Sequence, residues 1–333
     1  MKARVCMSQP QPLLSIIGPT ATGKTELVSR VAVAQVGSQL ELISADSRQV
    51  YRGMEIATGV DIPVAWQNAT TTPVTVHGVS MIAPTEPWSA GHFRDFAQEV
   101  LRHSWQRGHL PIIVGGTGLY HRALFSLDAA PADSALRAQF ARMTLGELQT
   151  ALQEKVPESW TNMNASDRAN PRRLIRALER AAAAPQAPVN LDQNPNTSLP
   201  LPTHHLTIGL TADASWLAEK ITARVLERIE HGVLREVERL IATYDDVVWR
   251  SPAFSATGYR ELRYALEGGC TMEEAIAKWA RRELQYAKRQ LTWWRKYAPK
   301  ETVWFDVTDP EALDHALHTV TAWIYTVRDV EKH

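Results

Sequence analysis

The stretch Gly18-Pro19-Thr20-Ala21-Thr22-Gly23-Lys24-Thr25 decides the fold, because it fits the pattern G-x-x-x-x-G-K-[ST] of a phosphate-binding loop. The apolar run 13–17 before it predicts a buried strand, and residues 26–35 after it predict a helix. In that setting the glycines turn backbone N–H groups toward an anion, and the helix adds its positive N-terminal end. Lys24 supplies a point charge, and the Thr25 hydroxyl is the predicted metal ligand, for Mg²⁺. The loop therefore predicts a phosphate or diphosphate site, the alternative being a glycine-rich turn that happens to end in Lys-Thr.

Apolar runs alternate with helical patterns on both sides of this loop. Residues 40–45 form a second run, which ends at Asp46, and residues 111–114 form a third, which ends in Gly115-Gly116-Thr117-Gly118. Between them, residues 93–105 have the apolar period of a helix. Alternating strands and helices predict an α/β fold, a P-loop NTPase-like parallel sheet flanked by helices. Later in the chain, the pattern predicts one more short strand and two long helical segments, at 207–210, 214–242 and 271–297.

The middle of the chain differs in character. From about residue 132 to 184 the strand pattern stops and an arginine-rich helical pattern takes over, followed by a proline-rich stretch at 185–203. This predicts a helical insertion domain within the α/β core. The predicted parts are a first part of the core, the insertion, and a second part of the core with basic C-terminal helices, at 13–131, 132–205 and 206–320.

Composition narrows the class of protein. The 333 residues include 36 Lys+Arg and 36 Asp+Glu, so a surface that binds RNA would have to be local rather than global. The two cysteines, Cys6 and Cys270, lack metal-ligand spacing and fit a reducing cytoplasm. The apolar run 13–17 is too short for a membrane span or a signal peptide. We therefore expect a cytoplasmic protein with no membrane association and no evident obligate protein partner.

Six segments follow the loop in a fixed order, and together they carry a resemblance. They are 42–54 (LISADSRQVYRGM), 88–93 (WSAGHF), 114–120 (VGGTGLY), 170–179 (NPRRLIRALE), 258–261 (GYRE) and 287–293 (AKRQLTW). In this order and spacing, the chain from about residue 13 to about 297 resembles the bacterial type of the tRNA dimethylallyltransferase family, the isopentenyl-diphosphate:tRNA transferases. No single segment after the loop is specific, whereas the ordered set is.

The resemblance implies a reaction and its partners. A dimethylallyl group would move from dimethylallyl diphosphate to N6 of the adenosine 3′ of the anticodon, position 37 of tRNA, giving N6-dimethylallyladenosine and diphosphate. The implied partners are the tRNA anticodon stem-loop and dimethylallyl diphosphate, with Mg²⁺ as cofactor. The adenine would have to leave the base stack to be reached.

Such a reaction needs a held leaving group, a positioned amine and a base for the amine's proton. Asp46 is the predicted base, because it ends a strand near the loop at the carboxyl edge of the sheet. Its alternative role is a helix N-cap. By resemblance, Thr20 is a second catalytic residue whose hydroxyl meets the leaving oxygen, and Thr117 contacts the RNA. Their alternatives are a solvent-facing loop residue and a cap for a helix at 118–125.

Arg224 and Arg228 are four residues apart and so share one helix face. By resemblance, Arg224 is the arginine that closes on the diphosphate, together with loop residues 18–25. The alternative is that both arginines are solvated charges paired with neighbouring glutamates, Glu227 or Glu230.

A basic helix face at 278–297 points to RNA independently of the resemblance. At 100° per residue, Arg281, Lys288 and Arg295 form one stripe, Arg282, Arg289 and Lys296 form the next, and only Glu283 offsets them. Such a face can also be merely solvated. Together with the resemblance, it gives a predicted set of tRNA-binding residues: Asp46, Ser47, Arg48, Gln49, Thr117, Arg137, Arg172, Arg173, Arg176, Gly258, Tyr259, Arg260, Arg281, Arg282, Gln285, Lys288 and Arg289.

Three other functions compete with tRNA prenyl transfer. A P-loop nucleotide kinase shares the loop, but a later strand that ends in a Mg²⁺-binding carboxylate is not evident. Prenyl transfer to free adenine nucleotides would not need the arginine-rich insertion or the basic helix. A non-catalytic RNA-binding module would leave the loop and Asp46 without a role.

Overall fold

The computed structural model describes residues 11–35, 39–63, 66, 74–125, 134–182 and 202–330. They fall into two compact units, the first within Met1–Phe125 and Pro200–His333 and the second within Ser126–Leu199. None of the helices in these described ranges is both long and apolar enough to cross a membrane.

The first unit is built on a six-stranded sheet in which every strand pair is parallel. Its strands are β1 (Pro12–Ile17), β2 (Leu40–Ser44), β3 (Val74–His77), β4 (Leu110–Gly115), β5 (His204–Thr211) and β6 (Val303–Asp306). Their order across the sheet is β3-β2-β4-β1-β5-β6. The central strand β1 is buried at all but its first residue, as expected for a parallel sheet covered on both faces. The predicted P-loop-like α/β fold class is confirmed.

Fifteen helices are described, and α5 to α9 belong to the second unit. They are α1 (Lys24–Ala34), α2 (Glu55–Thr58), α3 (Ala90–Gln106), α4 (Gly118–Phe125), α5 (Ser134–Phe140), α6 (Leu145–Lys155), α7 (Pro157–Asn162), α8 (Ala165–Arg168), α9 (Pro171–Ala182), α10 (Ala214–Glu230), α11 (Val233–Thr243), α12 (Asp246–Trp249), α13 (Tyr259–Leu266), α14 (Met272–Tyr297) and α15 (Ala312–Val330).

Two features of the core differ from the sequence prediction. The segment 214–242 is two helices rather than one, because Gly232 adopts a φ of +91° between α10 and α11 and lets the chain turn. The short edge strands β3 and β6 and the C-terminal helix α15 were not predicted. The expected boundary between 205 and 206 falls inside β5, and the expected end at 320 falls inside α15.

The second unit has its own small core. Apolar side chains of α5, α6 and α9 form it: Phe140, Leu148, Leu152, Leu174, Ala177 and Leu178. Helix α6 begins with a capping box in which Thr144 accepts a hydrogen bond from the Glu147 backbone and the Glu147 carboxylate accepts one from Thr144 N. The proline-rich stretch 185–203 lies almost wholly outside the described residues.

Candidate active site

The phosphate loop joins β1 to α1 at the carboxyl edge of the sheet. Gly18 has a φ of +144°, and a Cβ there would lie 2.4 Å from the carbonyl oxygen of Leu210 on β5. Ala21 and Gly23 also have positive φ, at +67° and +79°. These conformations produce the tight curl that turns loop N–H groups inward, and for Ala21 they carry a steric cost that glycine would avoid.

Lys24 begins α1 and its ammonium group donates to the carbonyl oxygen of Pro19. Burial and, after it, the nearby Arg224 guanidinium together lower the pKa of Lys24 to about 7, and Asp46 acts in the opposite direction. The loop therefore holds two cationic groups close together at an electrostatic cost. An anion bound between them would reduce that cost.

Arg224 lies in this site and Arg228 does not, although both are on α10. Arg224 Nη1 donates to Thr20 Oγ1 at 3.2 Å, and its Nη2 pairs with Asp61 Oδ2 at 2.7 Å. Arg228 is buried and forms an ion pair with buried Glu283 on α14, at 3.0 Å. Gly59, with a φ of +66°, makes room for both, since a Cβ there would clash with the two guanidinium groups. The solvated-charge alternative is wrong for both arginines.

Asp46 follows β2, two residues past its end. One carboxylate oxygen, Oδ1, accepts from the Arg48 backbone N–H at 2.8 Å. This is a side-chain turn and not a helix cap, since the next helix begins at Glu55. Ser47 N–H donates to Thr117 Oγ1 at 3.3 Å, which ties the Asp46 turn to the glycine-rich run after β4.

Side chains next to Asp46 are anchored by the protein itself. Gln49 accepts from Ser44 Oγ at 2.7 Å and donates to the carbonyl oxygen of Gly59 at 2.8 Å. Arg48 donates to the carbonyl oxygen of Pro252 at 2.7 Å. These contacts show that the main task of Gln49 is to hold Gly59, which lies in the wall of the site, against the end of β2.

The glycines after β4 allow close approach of neighbouring backbone and of helix α14. A Cβ at Gly115 would lie 2.3 Å from the Ala45 carbonyl oxygen, and one at Gly118 would lie 2.0 Å from the ring of Trp293. At Gly116 the nearest atom would be Gln290 Nε2, at 2.1 Å. Helix α14 therefore lies directly over this run. Packing alone requires glycine at positions 115, 116 and 118, whatever the run contacts in a substrate.

Two residues of the site, Gln290 and Asp61, were missed by sequence reasoning, and a third, Tyr286, was placed only as an aromatic residue beside the basic helix face. Gln290 is buried and its Oε1 accepts from the Thr20 backbone N–H at 2.9 Å. Burial, followed by the Asp46 charge, raises the pKa of the Tyr286 hydroxyl to about 12, and the nearby side chains of Thr117 and Gln290 act in the opposite direction. The ordered segment 287–293 contained the signal for Gln290, but the helical pattern alone gave it no role.

Two cavities meet at this edge of the sheet. One, of about 310 Å³, is lined by the loop residues Thr20, Ala21, Gly23, Lys24 and Thr25, by Glu26, by Asp61 and by Arg224. The other, of about 460 Å³, is lined by Asp46, Ser47, Arg48, Thr257, Arg282, Gln285, Tyr286 and Arg289. Thr20, Asp46 and Thr58 line both cavities. We call the first the loop cavity and the second the helix cavity.

The predicted basic face of α14 is present and largely exposed. Arg281, Lys288 and Arg289 are exposed, whereas Arg282 is half-buried and pairs with Glu261 of α13. Glu283, which was expected to offset these charges, instead faces the core and pairs with Arg228. Glu261 thus takes over the offset expected of Glu283, and Arg281, Lys288 and Arg289 keep the exposed face positive.

Two members of the predicted tRNA-binding set are structural. Tyr259 is fully buried, and its hydroxyl donates to Glu236 Oε1 and to the Met54 carbonyl oxygen, both at 2.8 Å. Gly258 is buried with a φ of +102°, and a Cβ there would meet the Trp279 ring at 2.6 Å. A direct contact of the Tyr259 side chain with RNA is excluded by this burial, whereas Arg260 is exposed.

In the second unit, several predicted RNA-binding arginines are held by carboxylates. Glu179 is buried and accepts two hydrogen bonds from Arg137, at 2.7 and 3.0 Å, and one from Arg176, at 3.1 Å. Arg173 pairs with Asp167, and Arg172 is exposed. Arg137 thus joins α5 to α9, whereas Arg176 pairs within α9, and any contact with RNA would use only part of each guanidinium.

The residues present fit Mg²⁺ of the kind that binds together with a phosphate ligand. The described residues contain no cluster of three or more His, Cys, Asp or Glu side chains that could cage a metal. The loop cavity does present the Thr25 hydroxyl and the Asp46 carboxylate. Mg²⁺ keeps several waters and commonly uses phosphate oxygens with one or two protein oxygens, and Thr25 would supply such an oxygen, with Asp46 close by.

This geometry defines a class: a P-loop α/β protein in which a cavity beside the loop shares lining residues with a second cavity beside a basic helix. Comparisons with known proteins identify the family within that class. The family described as IPP transferase matches residues 49–297. The chain is 34% identical over 331 residues to the tRNA dimethylallyltransferase of Moorella thermoacetica, covering 97% of this chain and 98% of that one.

A second relative and a solved structure agree. The chain is 37% identical over 321 residues to the tRNA dimethylallyltransferase of Symbiobacterium thermophilum, covering 94% and 95% of the two chains. It is also similar to the crystal structure of the tRNA isopentenylpyrophosphate transferase from Bacillus halodurans, with a TM-score of 0.63 and 30% identity over 97% of this chain and 100% of that one. The chain belongs to the IPP transferase family, and it is an enzyme of the prenyltransferase type.

Proposed function

We propose that this enzyme transfers a dimethylallyl group from dimethylallyl diphosphate to N6 of adenosine 37 in the anticodon stem-loop of tRNA. The observation that carries the proposal is that Thr20 and Asp46 line both cavities. A donor held in the loop cavity and an adenine held in the helix cavity would meet at these two residues.

The loop cavity holds the leaving group. Loop residues including Lys24 line it, and so does Arg224, whose guanidinium donates to the Thr20 hydroxyl. Backbone N–H groups of such a loop would add to the binding of an anion. When bound, Mg²⁺ would neutralise part of the diphosphate charge, with Thr25 and the diphosphate as its ligands. Arg224 would exchange its pairing with Asp61 for the diphosphate, and Thr20 would place its hydroxyl at the departing oxygen.

Asp46 takes the proton. As the bond between N6 and the allylic C1 forms, the bond between C1 and the diphosphate oxygen breaks and its electron pair leaves with the diphosphate. The amine proton passes to the Asp46 carboxylate. The hydrogen bond from Arg48 N to Oδ1 fixes the carboxylate so that its other oxygen is available to the amine.

The RNA side is supported by α14. Gln285 and Arg289 line the helix cavity, and Lys288 and Arg281 continue the positive face away from it. Exposed cations of this kind suit a phosphate backbone, and an aromatic floor formed by Tyr286 suits an unstacked base. A free nucleotide would fill the cavity but leave the rest of the face without a role.

The test is a transfer assay with labelled dimethylallyl diphosphate, Mg²⁺ and unmodified tRNA that carries adenosine at position 37, with AMP and ATP as parallel acceptors. We expect label in tRNA alone, and its loss in Asp46→Asn. Asp95→Asn, a neutralised carboxylate on the exposed face of α3, is the matched control and should retain activity. Transfer to AMP would favour the free-nucleotide reaction, and ATP turnover without transfer would favour a kinase.

A further inference from the structure

Gln290 connects the two substrate sites, and the proposed chemistry gives it no task. Its Oε1 accepts from the Thr20 N–H at 2.9 Å, across 270 residues of sequence. Its Nε2 lies 2.1 Å from the position that a Cβ of Gly116 would take. Its neighbour on the helix is Tyr286, a residue that lines the helix cavity and whose pKa the nearby Gln290 side chain lowers. One buried amide therefore touches the loop, the glycine-rich run and the wall of the helix cavity.

The surrounding residues place the Gln290 amide between the proposed site of the prenyl donor and that of the RNA. Thr20 is held by Gln290 at its backbone N–H and by Arg224 at its hydroxyl. One residue before Gln290 is Arg289, whose guanidinium carbon lies 5.7 Å from the centre of the Tyr286 ring at the helix cavity. A ligand that fixes Arg289 and Tyr286 also fixes the turn of α14 from which Gln290 reaches the loop.

We propose that Gln290 is a positioning residue through which RNA on α14 and diphosphate in the loop strengthen each other's binding. The physical reason is that ordering the Thr20 peptide is needed by both ligands, so that the ligand that binds first reduces the cost for the second. This inference rests on the proposed function, since it requires tRNA as the acceptor. It also implies an order of binding. If the phosphate loop is fully ordered only when tRNA is bound, dimethylallyl diphosphate binds tightly only then, and its hydrolysis by water is limited.

The test compares diphosphate binding with and without RNA. Inorganic diphosphate with Mg²⁺ is titrated calorimetrically into the enzyme, alone and with saturating unmodified tRNA, which avoids turnover. In the wild type we expect diphosphate to bind about 5- to 10-fold more tightly with tRNA present, within the usual range of coupling between sites. In Gln290→Met, which keeps the side-chain length and removes the acceptor, we expect less than about a 2-fold difference.

Two further variants separate positioning from folding. Gly116→Ala leaves Gln290 in place in the sequence but puts a methyl group on its amide, and it should reduce the coupling in the same way. Gln106→Met, a matched change at an exposed glutamine of α3, should keep the wild-type coupling. A purely structural role would weaken both ligands and leave the ratio of the two diphosphate affinities unchanged.

The outcomes are distinct. Coupling that is present in the wild type and lost in both Gln290→Met and Gly116→Ala supports the inference. Equal ratios in wild type and Gln290→Met, in an enzyme that transfers the prenyl group to tRNA, overturn it while leaving the proposed function intact. A wild type that neither binds tRNA nor modifies it overturns both.

Discussion

The loop cavity and the helix cavity present positive charge in opposite ways. In the loop cavity, Lys24 and Arg224 are each held by protein oxygens, from Pro19, Thr20 and Asp61. On the helix side, Lys288 and Arg289 are exposed at the surface of α14. The first arrangement is fixed before any ligand arrives, and the second is spread over several flexible side chains.

This difference separates catalysis from recognition. Fixed charges aimed at a developing diphosphate stabilise the transition state strongly, because they need no reorganisation. Exposed charges on a helix bind a polyanion by the sum of weak, salt-sensitive contacts. Substitutions in the loop cavity should therefore reduce the rate steeply, whereas substitutions on α14 should act mainly on the affinity for RNA.

The largest effect is expected at Lys24. Lys24→Met removes the buried charge that faces the diphosphate, and kcat/KM for the donor should fall by about 10²- to 10³-fold, as when one preorganised charge-stabilising group is lost. Steady-state transfer to tRNA measures this. The variant should still bind tRNA, because Lys24 does not line the helix cavity. A loss below about tenfold would show that the loop charge is not used in the reaction.

A sharper comparison uses two arginines one helical turn apart. Arg224→Gln should lower the transfer rate by about 10²-fold with little change in the unfolding midpoint, because Arg224 faces the loop cavity. Arg228→Gln should instead destabilise the fold by about 3–5 kcal/mol, because it leaves Glu283 buried without its partner. Rate assays and thermal unfolding of both variants check this. Two variants with the same profile would contradict the assignment of separate roles.

A third effect is a pH dependence of donor binding. The pKa of Lys24 is lowered to about 7 by burial and by Arg224, so above pH 7 the free site is increasingly neutral at this residue. Bound diphosphate raises the pKa again, and binding near pH 8 should take up close to one proton per site. The affinity for diphosphate should accordingly fall toward tenfold per pH unit above 7.

Calorimetry in buffers of different ionisation enthalpy measures this proton uptake. Lys24→Arg is the control, because arginine stays charged throughout and any uptake that remains belongs to the diphosphate itself. Equal uptake in wild type and Lys24→Arg would exclude Lys24 as the titrating group. Such a result would also mean that Arg224 does not lower the pKa of Lys24 into the measured pH range.

The residues of the loop cavity were not equally predictable from sequence. One part of its lining comes from the consecutive residues 18–25, and Asp46 follows a strand that its apolar pattern revealed. Local spacing fixes such geometry, because consecutive residues have few ways to be arranged. Gln290 and Asp61 reach the same cavity from distant parts of the chain, and local patterns contain no information about those contacts.

The same limit explains the errors. Tyr259 was assigned to RNA from a short motif, although that motif serves packing: Tyr259 binds buried Glu236, which also accepts from the N–H groups of Ile56 and Ala57 at the start of α2. Glu283 was counted with the surface charges because its partner, Arg228, is on another helix. Helical periodicity identifies a face, but which neighbour covers that face is decided by tertiary packing.

The smallest expected effect concerns the exposed face of α14. Lys288→Ala and Arg289→Ala should each raise KM for tRNA a few-fold and reduce the slope of log affinity against log salt by about 1, with kcat little changed. Binding of tRNA measured between low and moderate salt checks this, with Arg235→Ala on the exposed face of α11 as a charge-matched control. Because Arg289 also borders Tyr286, its variant should lose more than Lys288→Ala does. If Arg235→Ala reduces the salt slope as much, the cations of α14 contribute no more to tRNA binding than other surface cations do. The helix side would then not be a specific RNA-binding face.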